Sequence, residues 1–307
     1  MQTILGANGQ IAEELARELR RNFTDDIRLV SRNPMKVNDS DKLFPADLLD
    51  TGATDKAVAG SGIVYLTVGL PMDSRMWEEQ FPVMMRNVID ACKKHQSKLV
   101  FFDNTYMYGK TAEPQTEDSP FKPKGRKSVV RANIAKMLLG EMSEGNIEAV
   151  ICRAPEFYGP GQTQSITNTL IFENIKEGKK PKVPLSDDTL RTLIWTPDAS
   201  RATALIGNTP DAYDRTWHLP CDDKRLTYGQ MIGVISDLYQ KNFDYQIVKM
   251  WMFKIGGVFS KQAKELRELL PRYSVDNIFV SKKFRERFPD FVVTSYREGI
   301  ENIIKEQ

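Results

Sequence analysis

Short apolar runs alternate with amphipathic stretches along the first half of the chain. Ile4-Leu5 breaks at Gly6, and Ile11, Leu15 and Leu19 then recur at helical spacing as far as Arg21. A second run over 27–31 ends at Arg32, and Asn33-Pro34 closes it. Residues 42–47 read as a short third strand with a polar tip, 51–59 as a helix, and 62–68 as a buried fourth strand stopping at Gly69-Leu70-Pro71. A long helix over 76–94 leads to the most apolar strand, 99–102, and a polar loop, a helix over 128–142 and a sixth strand over 148–153 follow. Strand and helix alternating in this way predict an α/β fold with a doubly wound parallel sheet, whose ligands bind beyond the carboxyl ends of the strands.

The first strand-to-helix turn, Gly6-Ala7-Asn8-Gly9-Gln10-Ile11-Ala12, carries the sharpest chemical signal. Two glycines three apart allow a tight turn and a close approach of backbone to ligand. The N–H groups of the first helical turn, from Gln10 and Ile11 onward, have no intrahelical partner and bear partial positive charge. Such a turn suits a pyrophosphate, so residues 1–160 are expected to form a Rossmann-like dinucleotide-binding domain. At the tip of the second strand stands Arg32, with no carboxylate beside it. An arginine fork matches a ribose 2′-phosphate that a carboxylate would repel, so NADP(H) is favoured over NAD(H).

Beyond Arg153 the rhythm changes, with Pro155, Gly159-Pro160-Gly161, a helix over 169–177 and the basic connector Lys179-Lys180-Pro181-Lys182. Short strands over 193–195 and 216–219 are expected to return to the sheet within a segment spanning about 191–222, and 228–239 and 261–270 read as helices. Residues 161–190 and 223–307 then form a smaller C-terminal substrate lobe that caps the strand ends. Trp251, Phe253 and Phe259 belong either to its core or to an apolar lid.

Composition removes several alternatives. With 43 basic against 41 acidic residues mixed throughout, no nucleic-acid footprint is expected, and phosphate-seeking charges must be local. Cys92, Cys152 and Cys221 lie far apart, which suits a reduced, cytoplasmic protein, and no signal peptide is expected before a strand that starts almost at Met1. The apolar stretch over 250–259 is too short to span a bilayer and is broken by Lys254, so no membrane association is expected. His95 and His218 are far apart, and no metal site is expected.

Four patterns in order, Gly6 to Ala12, Asn104-Thr105-Tyr106-Met107-Tyr108-Gly109, Arg153 to Gly161 and Arg191 to Asp198, resemble the extended and atypical short-chain dehydrogenases/reductases, the NAD(P)-dependent epimerase/dehydratase group. The resemblance implies that a residue at the register of Asn104, or Thr105 beside it, holds the substrate oxygen. It also implies a tyrosine acid/base four residues before a lysine on the next helix, but Lys127 and Arg131 stand at that spacing here. They form either a catalytic pair on one helix face or a solvated basic face. Tyr106 and Tyr108 are the nearest substitute phenols, with Tyr108 favoured as a packing residue. Arg191 coincides with the arginine that grips the diphosphate in nucleotide-sugar epimerases, or is an exposed strand residue. Pro155, Phe157 and Tyr158 fall in a loop that lies against nicotinamide and substrate in such enzymes. Asp47 and Leu48 would border the adenine, or Asp47 is a cap; Gly69 and Leu70 would border the cofactor by their backbone. Relatives also dimerise through helices equivalent to 76–94 and 128–142, although the stripe Met84, Met85, Val88 and Ile89 equally suits a sheet-facing helix.

Two functions of different class follow. One is an NADP(H)-dependent oxidoreductase or epimerase/dehydratase-like enzyme that moves hydride to or from a small oxygenated substrate, anionic or a nucleotide sugar. The other is an NADP(H)-binding sensor or interaction protein without turnover, suggested by the missing Tyr-x-x-x-Lys pair.

Overall fold

Alternating burial along the strands builds two apolar layers. In the computed structural model, which describes residues 1–161, 165–259 and 261–306, Ile4 of β1 (Gln2–Leu5) faces one layer and Leu5 the other. The chain continues through α1 (Gln10–Asn22), β2 (Ile27–Ser31), β3 (Lys42–Pro45), α2 (Thr51–Val58), β4 (Ile63–Leu66), α3 (Ser74–His95), β5 (Lys98–Asp103), α4 (Arg126–Ser143) and β6 (Ala149–Arg153). After these come β7 (Glu156–Tyr158), a wide π-type turn over Asn168–Phe172 running into α5 (Glu173–Lys176), β8 (Lys182–Pro184), β9 (Leu190–Arg191), β10 (Leu193–Trp195) and α6 (Thr196–Gly207). The remainder comprises β11 (Arg215–His218), β12 (Leu226–Thr227), α7 (Tyr228–Tyr239), β13 (Gln246–Val248), α8 (Met250–Phe259), α9 (Lys261–Leu266), α10 (Lys282–Arg287) and α11 (Tyr296–Lys305).

The central sheet runs β11-β6-β5-β4-β1-β2-β3, and every pairing in it is parallel. Strand order reverses between β1 and β4, which opens a crevice at their carboxyl ends. Helices α1 and α6 cover the face bearing Ile4, Leu29 and Val150; α3 and α4 cover the face bearing Leu5, Val64 and Leu99. Met84, Met85, Val88 and Ile89 are buried in this second layer, so the stripe on α3 belongs to the chain's own core.

The expected return of 193–195 to the sheet is corrected. β10 pairs instead with β7, off the main sheet, while β11 does join beside β6 as expected. Pro155 explains the difference: it has no N–H for a ladder, so the chain leaves the sheet after β6 and starts β7 anew. The smaller lobe has its own core of Tyr158, Ile171, Phe172, Trp195, Met231, Ile232 and Ile300. Phe253 packs at its margin and Trp251 is exposed, whereas the side chain of Phe259 lies outside the described residues.

Candidate functional site

At the β1–α1 turn Gly6 has φ +96°, and a Cβ there would sit 2.9 Å from the Val68 backbone, so only glycine fits both the turn and the contact with the end of β4. Gly9 caps α1 in an extended conformation and, having no side chain, adds no side-chain cap to the helix. The side chain of Ile11 anchors the turn in the core. Gln10 opens the helix. Asn8 fastens the turn to the tail of β2: its Nδ2 donates to the Asn33 carbonyl at 2.7 Å, and its Oδ1 accepts from Met35 N–H at 3.4 Å. Arg32 lies in that tail, exposed and with no charged partner among the described residues.

Across the crevice, Gly69 is exposed and Leu70 half-buried. Asp47 is exposed and its carboxylate accepts from Leu49 N–H at 3.0 Å in the turn before α2, whose cap is Asp50. The side chain of Leu48 is in the core, and its carbonyl accepts from Asn87 Nδ2 at 2.9 Å and from the Thr54 hydroxyl at 3.2 Å.

The end of β5 carries a buried polar chain. Asp103 accepts from Arg131 Nε at 3.0 Å and from Arg153 Nε at 3.2 Å. Arg153 Nη1 donates to the Tyr108 hydroxyl at 2.7 Å, and that hydroxyl meets His218 Nε2 at 2.7 Å. His218 Nδ1 lies 2.9 Å from the Val280 carbonyl, which assigns the proton to Nδ1 and makes Nε2 the acceptor for Tyr108. Burial, then the Arg153 cation, hold the imidazole well below its usual range, so it stays neutral. Tyr108 and Arg131 are thus tied into a structural network, and neither is free for a substrate proton. Asn104 Oδ1 accepts from Tyr106 N–H at 2.9 Å, leaving its amide group for a ligand, and Thr105 is buried.

Lys127 is not a solvated lysine, and its charge is paired with a different carboxylate from Arg131's. Its fully buried Nζ donates to Ser74 Oγ at 2.8 Å and to the Glu265 carboxylate and carbonyl. Glu265 also accepts from Ser74 N–H at the start of α3, and Glu268 accepts from Ser128 N–H in the first turn of α4, both at 3.1 Å. The face shared by residues 127 and 131 divides, one side chain turning to the α9 segment and the other to β5.

Arg191 and Tyr158 also differ from expectation. Arg191 is buried, donating to the Arg272 carbonyl at 2.7 Å and to Glu156 at 3.1 Å, with the Tyr273 ring 4.5 Å away; it is neither an exposed strand residue nor an open clamp. Glu156 further accepts from the hydroxyls of Tyr273 and Tyr228. Tyr158 packs between Trp195 and Tyr296 in the lobe core, because its strand β7 faces the lobe rather than the crevice. Pro155 is buried, and Phe157 packs near Phe102 with ring centres 6.0 Å apart. Glu265, Glu268 and Arg272 carried no sequence motif, and Glu156 lay within the Arg153–Gly161 pattern without being singled out; the three lobe residues reach the site only because the lobe folds back on α3, α4 and β7.

The profile of the NAD dependent epimerase/dehydratase family matches residues 3–218. The chain belongs to the NAD-dependent epimerase/dehydratase family. A curated relative, the uncharacterized protein y4nL of Sinorhizobium fredii (strain NBRC 101917 / NGR234), is 30% identical over 129 residues; the match spans 42% of this chain and only 35% of that protein's length. Among solved structures, the UDP-glucuronic acid 4-epimerase of Bacillus cereus in complex with NAD superposes with a TM-score of 0.80 at 15% identity, covering 100% of this chain and 96% of that one. The UDP-glucose 4-epimerase of Thermus thermophilus in complex with NAD gives 0.77 at 14%, covering 100% and 98%. At such identities these likenesses establish the fold, a Rossmann-like sheet shared with epimerases of the family. Among the described residues no three potential metal ligands gather, and no helix is long and apolar enough to cross a membrane.

Proposed function

We propose that this epimerase/dehydratase-family chain binds NADP(H) along the carboxyl edge of its sheet and acts as an oxidoreductase or epimerase-like enzyme on a small oxygenated substrate. The observation that carries this reading is the β1–α1 turn, where Gly6 packs against Val68 just after β4 and α1 starts from Gly9, a cap without a side chain. A nicotinamide dinucleotide would supply the hydride donor and acceptor. The first-turn N–H groups of α1 would neutralise its pyrophosphate, and Arg32, tied near the turn through Asn8 and Asn33, would pair with a 2′-phosphate. Asn104 has an uncommitted amide that suits a substrate oxygen. Because Glu156 already occupies Arg191, a compact substrate is favoured over a nucleotide diphosphate sugar.

Calorimetry tests the cofactor reading. NADP+ is expected to bind more tightly than NAD+, and Arg32→Ala to weaken NADP+ by about tenfold, about 1.4 kcal/mol, with NAD+ affinity unchanged. Association of neither dinucleotide with the intact protein would refute it.

The alternative of a dinucleotide sensor without turnover draws on one observation: Lys127 and Arg131 are both committed to ion pairs. Incubation with NADPH and a carbonyl panel separates the two, since loss of nicotinamide absorbance with any substrate excludes the sensor.

A further inference from the structure

Tyr106 is the phenol beside β5 whose polar tip the fold leaves uncommitted. Its ring is held firmly: it stacks on Trp77 with ring centres 6.0 Å apart and planes 9° from parallel. Trp77 is itself fixed by a hydrogen bond from Nε1 to the Pro71 carbonyl at 2.8 Å and by Phe81 edge-on at 5.1 Å. The Arg272 guanidinium lies 5.1 Å from the Tyr106 ring centre, and its buried Nε has no partner. Val68, Leu70 and Met72, from the loop after β4, belong to the same apolar cluster. The ring thus stands between the crevice loop and the lobe, while its hydroxyl has no hydrogen-bond partner among the described residues. Tyr108, by contrast, has its hydroxyl bound on two sides.

We propose that Tyr106 is the catalytic acid/base of this chain, accepting the hydroxyl proton of a substrate carbinol held by Asn104 and returning it in the reverse direction. This assignment rests on the cofactor reading above. In oxidation, the substrate O–H bond breaks and the proton forms a bond to the phenolate oxygen; the C–H electron pair leaves as hydride to the oxidised dinucleotide, and a carbonyl remains. The general acid/base thus comes from the loop after β5 instead of from α4, where the lysine and arginine are already paired.

A phenol serves near neutral pH only when cations favour its ionised form. Burial is the largest influence on Tyr106 and raises its pKa; Arg272 and Arg131 oppose this, whereas Glu156 and Glu268 reinforce it. The Lys127 charge is met by Glu265. A further cation on the crevice side would tip this balance toward the phenolate.

Tyrosine ionisation, followed by near-ultraviolet phenolate absorbance during a pH titration, tests the proposal without any substrate. Tyr106→Phe retains the ring that stacks on Trp77 and removes a single hydroxyl. NADP+ is expected to lower the ionisation of one tyrosine by about one pH unit or more, a tenfold change in proton affinity. NADPH, whose ring is neutral, should not do so. The shift should vanish in Tyr106→Phe while calorimetry still finds NADP+ bound. A shift of equal size in Tyr106→Phe, or its absence in native protein that binds NADP+, overturns the tyrosine assignment alone. Absence of NADP+ binding overturns the cofactor reading, and this proposal with it.

Discussion

Asp103 shows how a single residue can redirect the roles of its neighbours. Its buried carboxylate accepts from both Arg131 and Arg153, so an arginine at the register expected of a catalytic lysine becomes a structural cation. Asp103→Asn leaves two buried guanidinium groups without their counter-charge and is expected to cost about 3–5 kcal/mol, read from urea denaturation. A loss below about 1 kcal/mol would remove the network from the core's supports. The same chain sets a pH limit through His218, which burial and Arg153 keep neutral in the fold. In the unfolded chain it protonates near pH 6.5, so below that pH the unfolded state binds the extra proton; this contribution is complete above about 6.5 and declines as pH falls. Thermal melts at about pH 7.5 and about pH 5 should show the lower midpoint in acid, and His218→Gln should flatten the difference. The strand that carries His218 and the packing role of Tyr108 were legible in the sequence. The hydrogen bond between the two residues was not, because 110 residues separate them.

Short elements of the lobe govern the ends of longer ones in the sheet domain. Glu265 at the end of α9 and Glu268 just beyond supply acceptors to the first turns of α3 and α4, where unpaired N–H groups favour negative charge. Gly125, at φ +107°, lets Glu268 approach, since a Cβ at that position would overlap the glutamate side chain. Gly125→Ala is therefore expected to destabilise by at least about 1 kcal/mol and to speed hydrogen exchange at Ser128 and Ser74. Unchanged exchange there would mean that the α9 segment does not brace the two helices. The helices themselves were readable from apolar spacing; their partners at the N-terminus were not, since charged residues on a short surface helix look alike whether they face water or a helix end.

For the whole molecule, the crevice between β1 and β4 predicts a ligand that stabilises the fold. NADP+ at about one hundred times its dissociation constant should add about 2.7 kcal/mol of stability, and Arg32→Ala should shrink the thermal shift with NADP+ but not with NAD+. Equal shifts with both dinucleotides in native protein would withdraw the preference for the phosphorylated one. The alternation of strand and helix, the glycine turn and the arginine after β2 were set by local pattern, because strand period, helix period and positive φ are properties of neighbouring residues. The sequence alone thus determined the doubly wound sheet and which end of it carries the glycine turn. Which side chains are free at that end was decided only in the folded molecule. Lys127, Arg131 and Arg191 each found a carboxylate distant in sequence, and Tyr106 kept its hydroxyl open. Removing a charge from water demands a partner wherever the chain brings one close, and that proximity is not written in any local window.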